Sequence, residues 1–308
     1  MNSRKAIDGT AAATMAALCA IWGTQQVVIK LAEPAMSPLL QVGLRSAAAA
    51  VVMFLIILVR GQYRELGGGT WRPALVAGIL FGLEFILFAV GLHFTSASHI
   101  SIFLYTSPIF AALGLHLTLV EERLVAAQWL GIIIAIAGII LTFSGRGDTV
   151  TGSRAWIGDC LGIAAGAAWG ATTIVVRTSR LTSTSPAVTL WYQLACGAVM
   201  ATGAAVVLGQ TAMTPSTTLL ASLAYQTIVI SVASYLAWFT LLRRYLASRL
   251  GVLTLMTPVF GIGFGVAVLG DRLTLPFVLG TIVILAGIVL VNGRDLLARR
   301  TAPGLPTH

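Results

Sequence analysis

Residues 121–139 read EERLVAAQWLGIIIAIAGI, and residues 270–288 read GDRLTLPFVLGTIVILAGI. Arg123-Leu124 recurs as Arg272-Leu273, each preceded by an acid, Glu122 or Asp271. Leu130-Gly131 recurs as Leu279-Gly280, and Ala137-Gly138-Ile139 as Ala286-Gly287-Ile288. The pairing continues towards the N-terminus of each stretch. Pro108 and Phe110 match Pro258 and Phe260, and Ala97-Ser98 matches Ala247-Ser248. Ser37-Pro38 matches Ser185-Pro186, Lys30 matches Arg177, and Trp22-Gly23 matches Trp169-Gly170. One such match means little in a chain rich in Ala, Gly and Leu. Eight in order, at an offset that stays within 147 to 150 residues, mark an internal duplication.

The duplicated unit is a membrane unit. Of 308 residues, 57% are hydrophobic and 9% charged, whereas a soluble globular chain carries about 25% charged residues. Mean hydropathy is +0.94. So few polar side chains cannot cover a soluble surface, which excludes a soluble enzyme, a disordered chain and a collagen-like one. Apolar runs of spanning length occur at 11–31, 38–60, 71–93, 98–120 and 124–144, then at 156–177, 186–209, 217–242, 249–269 and 274–292. Their composition and lack of period-2 alternation favour helices over a membrane barrel. The start carries Arg4 and Lys5 before an apolar run, as a signal peptide does, but the run continues long enough to span and reads as an uncleaved first helix. Cys19, Cys160 and Cys196 all lie in apolar runs, an odd number that argues for packing rather than disulfides.

The net charge of +9 is a topology signal. With a cytoplasmic N-terminus, the inside set is Arg4, Lys5, Arg60, Arg64, Arg72, Arg123, Arg177, Arg180, Arg243, Arg244, Arg249, Arg294, Arg299 and Arg300. The outside set is Lys30, Arg146, Arg154 and Arg272, with Arg45 inside a span. That bias predicts both termini in the cytoplasm and needs no nucleic-acid partner. The expected organisation is a five-helix unit at 11–144, an outer linker at 145–155, a second five-helix unit at 156–292 and a cytoplasmic tail at 293–308. Five is odd, so the second unit enters from the opposite side. The expected fold is therefore an all-α integral membrane protein of ten transmembrane helices in two inverted repeats, an architecture of secondary transporters with the substrate site between the halves.

At this point the chain resembles the drug/metabolite transporter superfamily, specifically its EamA-type ten-helix permeases. The resemblance runs from about residue 11 to 292 and is carried by Trp22-Gly23, Gly43-Leu44-Arg45, Thr106-Ser107-Pro108, Glu121-Glu122-Arg123-Leu124, Gln128-Trp129-Leu130-Gly131 and their second-half counterparts. It implies a central cavity lined mainly by spans 1–4 and 6–9, with spans 5 and 10 peripheral. It does not name a substrate.

Arg45 and Glu84 are the sharpest features, because ionisable groups inside a membrane are costly. They lie about 7 and about 9 residues below the outer ends of antiparallel spans, hence at similar depth. One reading has Arg45 bind a substrate carboxylate while Glu84 binds an amine or carries a coupling proton. A proton carrier needs a carboxylate poised between burial, which disfavours its charge, and a guanidinium, which favours it. The other reading is a structural ion pair. Gln193 and Ser234 hold the equivalent second-half positions, so the charges are not repeated. Pro108 and Pro258, near the middle of spans 4 and 9, either shape the cavity or only kink packing. Trp22, Gln25 and Gln26 share a side of span 1, Glu84 and Phe88 a face of span 3, and Ser101, Tyr105 and Pro108 a face of span 4. Trp169, Thr172, Thr173, Ser234, Tyr235 and Trp238 answer them in the second half. An apolar cavity with a few polar groups suits a small molecule, and helix packing is the alternative. Trp71, Trp129 and Trp156, at span ends, suit an interfacial belt.

Glycines repeat every four residues at Gly158, Gly162, Gly166 and Gly170, as do Gly78 and Gly82, and Gly261 and Gly265. Such faces favour close packing within the chain, or dimerisation. No P-loop is present, and His93, His99 and His116 are dispersed, so neither ATP nor a metal cofactor is expected. The reading is a secondary transporter of a bacterial inner membrane, monomeric or homodimeric, exporting amino acids or related small metabolites and coupled to protons. Uptake or uncoupled exchange is the second reading. An intramembrane lipid enzyme would need a clustered catalytic set that the sequence lacks, and a receptor would need a soluble domain for which there is no room.

Overall fold

The computed structural model describes residues 8–67, 69–144, 154–245, 250 and 253–292. Most of the expected outer linker, the cytoplasmic tail, Ala247-Ser248, and Arg4, Lys5, Arg146, Arg249, Arg294, Arg299 and Arg300 lie outside the described residues. The described chain is helical. An isolated β-bridge joins Met36 and Met213.

The helices are α1 (Gly9–Gly23), α2 (Gln25–Ala32), α3 (Pro38–Val59), α4 (Trp71–Phe94), α5 (Ala97–Leu104), α6 (Ser107–Thr118) and α7 (Ala126–Ser144). After the linker come α8 (Ala155–Thr178), α9 (Pro186–Val207), α10 (Thr217–Ala224), a π-helical segment (Tyr225–Ala233), α11 (Ser234–Arg244), α12 (Met256–Leu269) and α13 (Leu275–Asn292). Among the described residues, eight stretches are long and apolar enough to cross a membrane, and Met256–Leu269 and Leu275–Val291 are shorter apolar helices. Part of the expected ninth span lies outside the described residues.

Local chemistry sets the helix starts. Proline opens α3 and α9, where its missing N–H is no loss. Ser37 Oγ accepts from Leu40 N at 3.3 Å, and Ser96 Oγ accepts from His99 N at 3.2 Å to cap α5. Asp8 caps α1 through Ala11 N at 2.8 Å.

Several spans are interrupted rather than merely kinked. Span 1 breaks at Thr24, whose hydroxyl turns back to Ile21 O at 2.6 Å. Span 4 breaks at Tyr105-Thr106, so Pro108 stands second in a new helix instead of in the middle of one. Its ring and missing N–H cannot continue α5, and the chain restarts where proline is tolerated. Pro258 likewise stands third in α12.

Packing follows small residues. α4 lies along α8 and α9, α3 along α9, α7 along α13, and α5 and α6 against α8. A Cβ at Gly138 would lie 2.6 Å from Ile284 N and 2.8 Å from Gly280 O, so only glycine allows α7 and α13 this close. The whole glycine row of α8 is used inside the chain. Gly158 meets Gly91 and Thr95, Gly162 meets Phe103, Gly166 meets the break after Leu104, and Gly170 meets Phe110. Without a hydrophobic force between helices in lipid, such contact is what holds them. The largest buried cluster includes Ile29, Met53, Phe85 and Phe88, and a second joins Phe103, Ile132, Phe277 and Ile284. Trp71, Trp129 and Trp156 are exposed near helix ends.

Candidate substrate cavity

The interruptions converge on one cavity of about 280 Å³. Span 1 contributes Trp22, Gln25 and Gln26, α4 contributes Phe81, Glu84 and Phe85, and the α5 end contributes Leu104 and Tyr105. The second half adds Trp169 and Thr172 from α8, Gln193 from α9, Tyr235 and Trp238 from α11, and Thr254 before α12. A broken helix exposes backbone groups that hydrocarbon cannot satisfy, so such breaks belong at a polar cavity or within protein. Here side chains take them up. Thr24 Oγ1 donates to Ile21 O at 2.6 Å, and Thr106 Oγ1 donates to Phe103 O at 2.6 Å. Gln226, on the π-helical segment, donates to Gln41 Oε1 at 3.0 Å and ties α3 to it.

The walls are aromatic. Trp22 meets Trp238 edge-on with centroids 5.8 Å apart, and Tyr105 meets Trp169 edge-on at 5.2 Å. Trp22 Nε1 donates to Ser234 Oγ at 2.8 Å, and Ser234 Oγ donates to Ile230 O at 2.5 Å, inside the π-helical segment. That chain fixes the indole against α11. Trp22→Phe keeps an aromatic, though smaller, ring but leaves the buried Ser234 without its donor, and is expected to cost about 1 kcal/mol or more. Thermal unfolding in detergent checks it, and an unchanged melting temperature would remove the bond as a stabiliser.

Arg45 and Glu84 are both buried, at 3% and 5% exposure. They form no direct ion pair. Arg45 Nη1 donates to Gln25 Oε1 at 3.0 Å, and its guanidinium lies 4.7 Å from the Phe85 ring centroid. Arg45 therefore stands behind the wall, with Gln25 between it and the cavity. Glu84 lines the cavity directly, and its Oε2 has no hydrogen-bond partner. A buried acceptor left unmade is costly, so a ligand or a proton has a ready place there. Gln26 Oε1 is a second unpartnered buried acceptor at the same wall.

Of the other expected residues, Phe88 is fully buried against Phe85 and does not reach the cavity. Thr173 donates to Trp169 O at 3.2 Å and is not in the lining, while Ser234 stands behind Trp22. Pro108 and Pro258 follow the lining residues Tyr105 and Thr254 and set where the helices restart. Phe81, Phe85 and Leu104 were not anticipated. Phe81 follows from helical spacing, three residues before Glu84 on the same face, and Phe85 lies one turn beyond Phe81 with ring centroids 4.7 Å apart. A fully buried carboxylate, Asp159, also went unread. It accepts from Thr95 Oγ1 at 2.6 Å and lies 3.0 Å from His99 Nδ1.

Comparison with known proteins bears on this geometry. The profile of the EamA-like transporter family matches residues 10–144 and again 156–293. A Bacillus subtilis protein named uncharacterized transporter YoaV is 24% identical over 272 residues, covering 88% of this chain and 92% of its own. An Escherichia coli protein named "probable amino-acid metabolite efflux pump" is 28% identical over 287 residues, with 88% and 90% covered. An Escherichia coli protein named uncharacterized inner membrane transporter YedA is 29% identical over 130 residues, 42% of each chain. A solved crystal structure superposes with a TM-score of 0.65 at 19% identity, covering 95% of this chain and 99% of that one, which shows a shared fold.

Proposed function

Since the chain belongs to the EamA-like transporter family, and is thus a multi-pass membrane transporter and not an enzyme, we propose that it exports amino acids or related small metabolites by proton-coupled alternating access. The observation that carries this reading is the unpartnered Oε2 of Glu84 inside an aromatic cavity formed at helix interruptions. Glu84 holds the coupling proton or the substrate amine. Arg45 acts through Gln25, whose amide turns towards the cavity what the guanidinium holds behind it. Trp22, Gln26, Tyr105, Trp169, Thr172, Tyr235 and Trp238 enclose the substrate. The name of the Escherichia coli efflux pump agrees with the direction and the substrate class.

Alternating access rests on ten spans in two inverted five-helix repeats. The offset matches support it, as does the packing of α3 on α9 and α7 on α13, which are the pairs a two-fold axis between the halves would make. The distribution of Arg and Lys supports cytoplasmic termini in a bacterial inner membrane.

Proteoliposomes loaded with a panel of amino acids and given a pH gradient test the reading. Gradient-dependent efflux of at least one compound is the expected result. No gradient-dependent flux across the panel would sink it, and flux indifferent to the gradient would favour an uncoupled exchanger.

A further inference from the structure

Two carboxylates of the second half converge on the first turn of α5 in the first half. Asp159, fully buried on α8, accepts from Thr95 Oγ1 and faces His99 Nδ1 at 3.0 Å. Asp271, after α12, accepts through Oδ2 from Ser98 N at 2.9 Å and from Ser98 Oγ at 2.7 Å. The start of a helix carries unpaired N–H groups and a partial positive charge, so both anions are well placed. Phe277 of α13 stacks on His99 with centroids 4.2 Å apart and closes the cluster.

The helix they hold is a short rigid rod. α5 has eight residues, nearly all buried, and spans about 12 Å. Its far end is Leu104 and Tyr105, in the cavity wall, after which the chain breaks. Tyr105, at that far end, packs edge-on against Trp169 with centroids 5.2 Å apart. Around the cluster the same end of the bundle is tied across the halves. Ser37 Oγ donates to Gln210 O at 3.0 Å, and Thr214 N donates to Ala35 O at 2.9 Å. The sequence counterpart of Asp271 is Glu122, and it is placed quite differently. It pairs with Arg177, and both side chains are open to solvent, at 36% and 52% exposure. Equivalent acids are thus engaged on a buried helix start at one end and on a solvated arginine at the other.

We propose that Asp159 and Asp271 are positioning residues for transport, which hold the first turn of α5, and through it the Tyr105 wall, in the arrangement closed at that end. This rests on the alternating-access reading. Neither carboxylate touches the cavity. Both act through α5, so their loss shifts the population between closed and open states rather than the contacts made with substrate.

Spin labels on exposed Pro34 and exposed Arg272, in a background without the three native cysteines, report the opening of that end by pulsed distance measurement. Asp159→Asn and Asp271→Asn are each expected to raise the longer-distance fraction about threefold or more. Asp271→Glu, which keeps the charge, should restore most of the native distribution. Ser98→Ala removes one partner of Asp271 without touching a carboxylate and should move the distribution the same way. It and Asp271→Asn carry the test if Asp159→Asn fails to fold. Folded variants with the native distance distribution would overturn the proposal, even with transport by the native protein intact. Failure of the native protein to move any compound would instead count against the transport reading, while the distances still report on the two aspartates.

Discussion

Glu84→Gln is expected to lower flux driven by a pH gradient at least about tenfold while sparing exchange of substrate for substrate. The amide keeps the size of the side chain and its place between Phe81 and Phe85, but it cannot take up and release a proton. What distinguishes Glu84 from the other described acids is that its Oε2 lies buried in the cavity with no partner. Asp159 and Asp271 have theirs in Thr95 and Ser98. Counterflow and gradient-driven efflux measured on the same proteoliposomes separate the two activities. Coupled flux unchanged by the substitution would remove Glu84 as the carrier, and loss of both activities would make it a substrate ligand instead.

Gly166→Leu is expected to destabilise the protein by about 3 kcal/mol or more, by overpacking. A Cβ there would lie 2.8 Å from Thr106 Oγ1 and 3.0 Å from the carbonyl oxygens of Phe103 and Leu104. Those atoms form the break between α5 and α6, so the added side chain would drive α8, with its wall residues Trp169 and Thr172, away from that break. Gly203 on α9 has open space around its Cβ position, so Gly203→Leu serves as the control with the same gain in bulk. Thermal unfolding of the two variants side by side checks the prediction. Equal melting temperatures would show that the α8 contact is not tight.

How much of this was legible in the sequence depends on the range of the cause. Pro38–Val59 and Trp71–Phe94 end within about a residue of the expected spans, because hydropathy and the Ser-Pro starts are local. The break at Thr24 carries no proline and was not expected. It depends on contacts with distant parts of the chain, including Tyr225 Oη at 2.9 Å from Thr24 Oγ1, 201 positions away. The π-helical segment has no local mark either. Within the site, residue type was enough to single out Glu84, Trp22 and Trp238. It was not enough to decide Arg45, for which a substrate contact and an ion pair were both open; its guanidinium bonds Gln25, from a different helix. Asp159 escaped notice because its partners, Thr95 and His99, lie 64 and 60 positions away.

The π-helical segment Tyr225–Ala233 leads directly into Ser234, Tyr235 and Trp238. Such winding holds more residues per turn than an α-helix, and each i→i+5 bond can be exchanged for an i→i+4 bond with no net loss. Passing one surplus residue along the span turns everything beyond it by about 100°. The tenth part of the chain that forms this span therefore works like slack in a cable. The placing of that surplus sets the direction in which Tyr235 and Trp238 face, and both line the cavity.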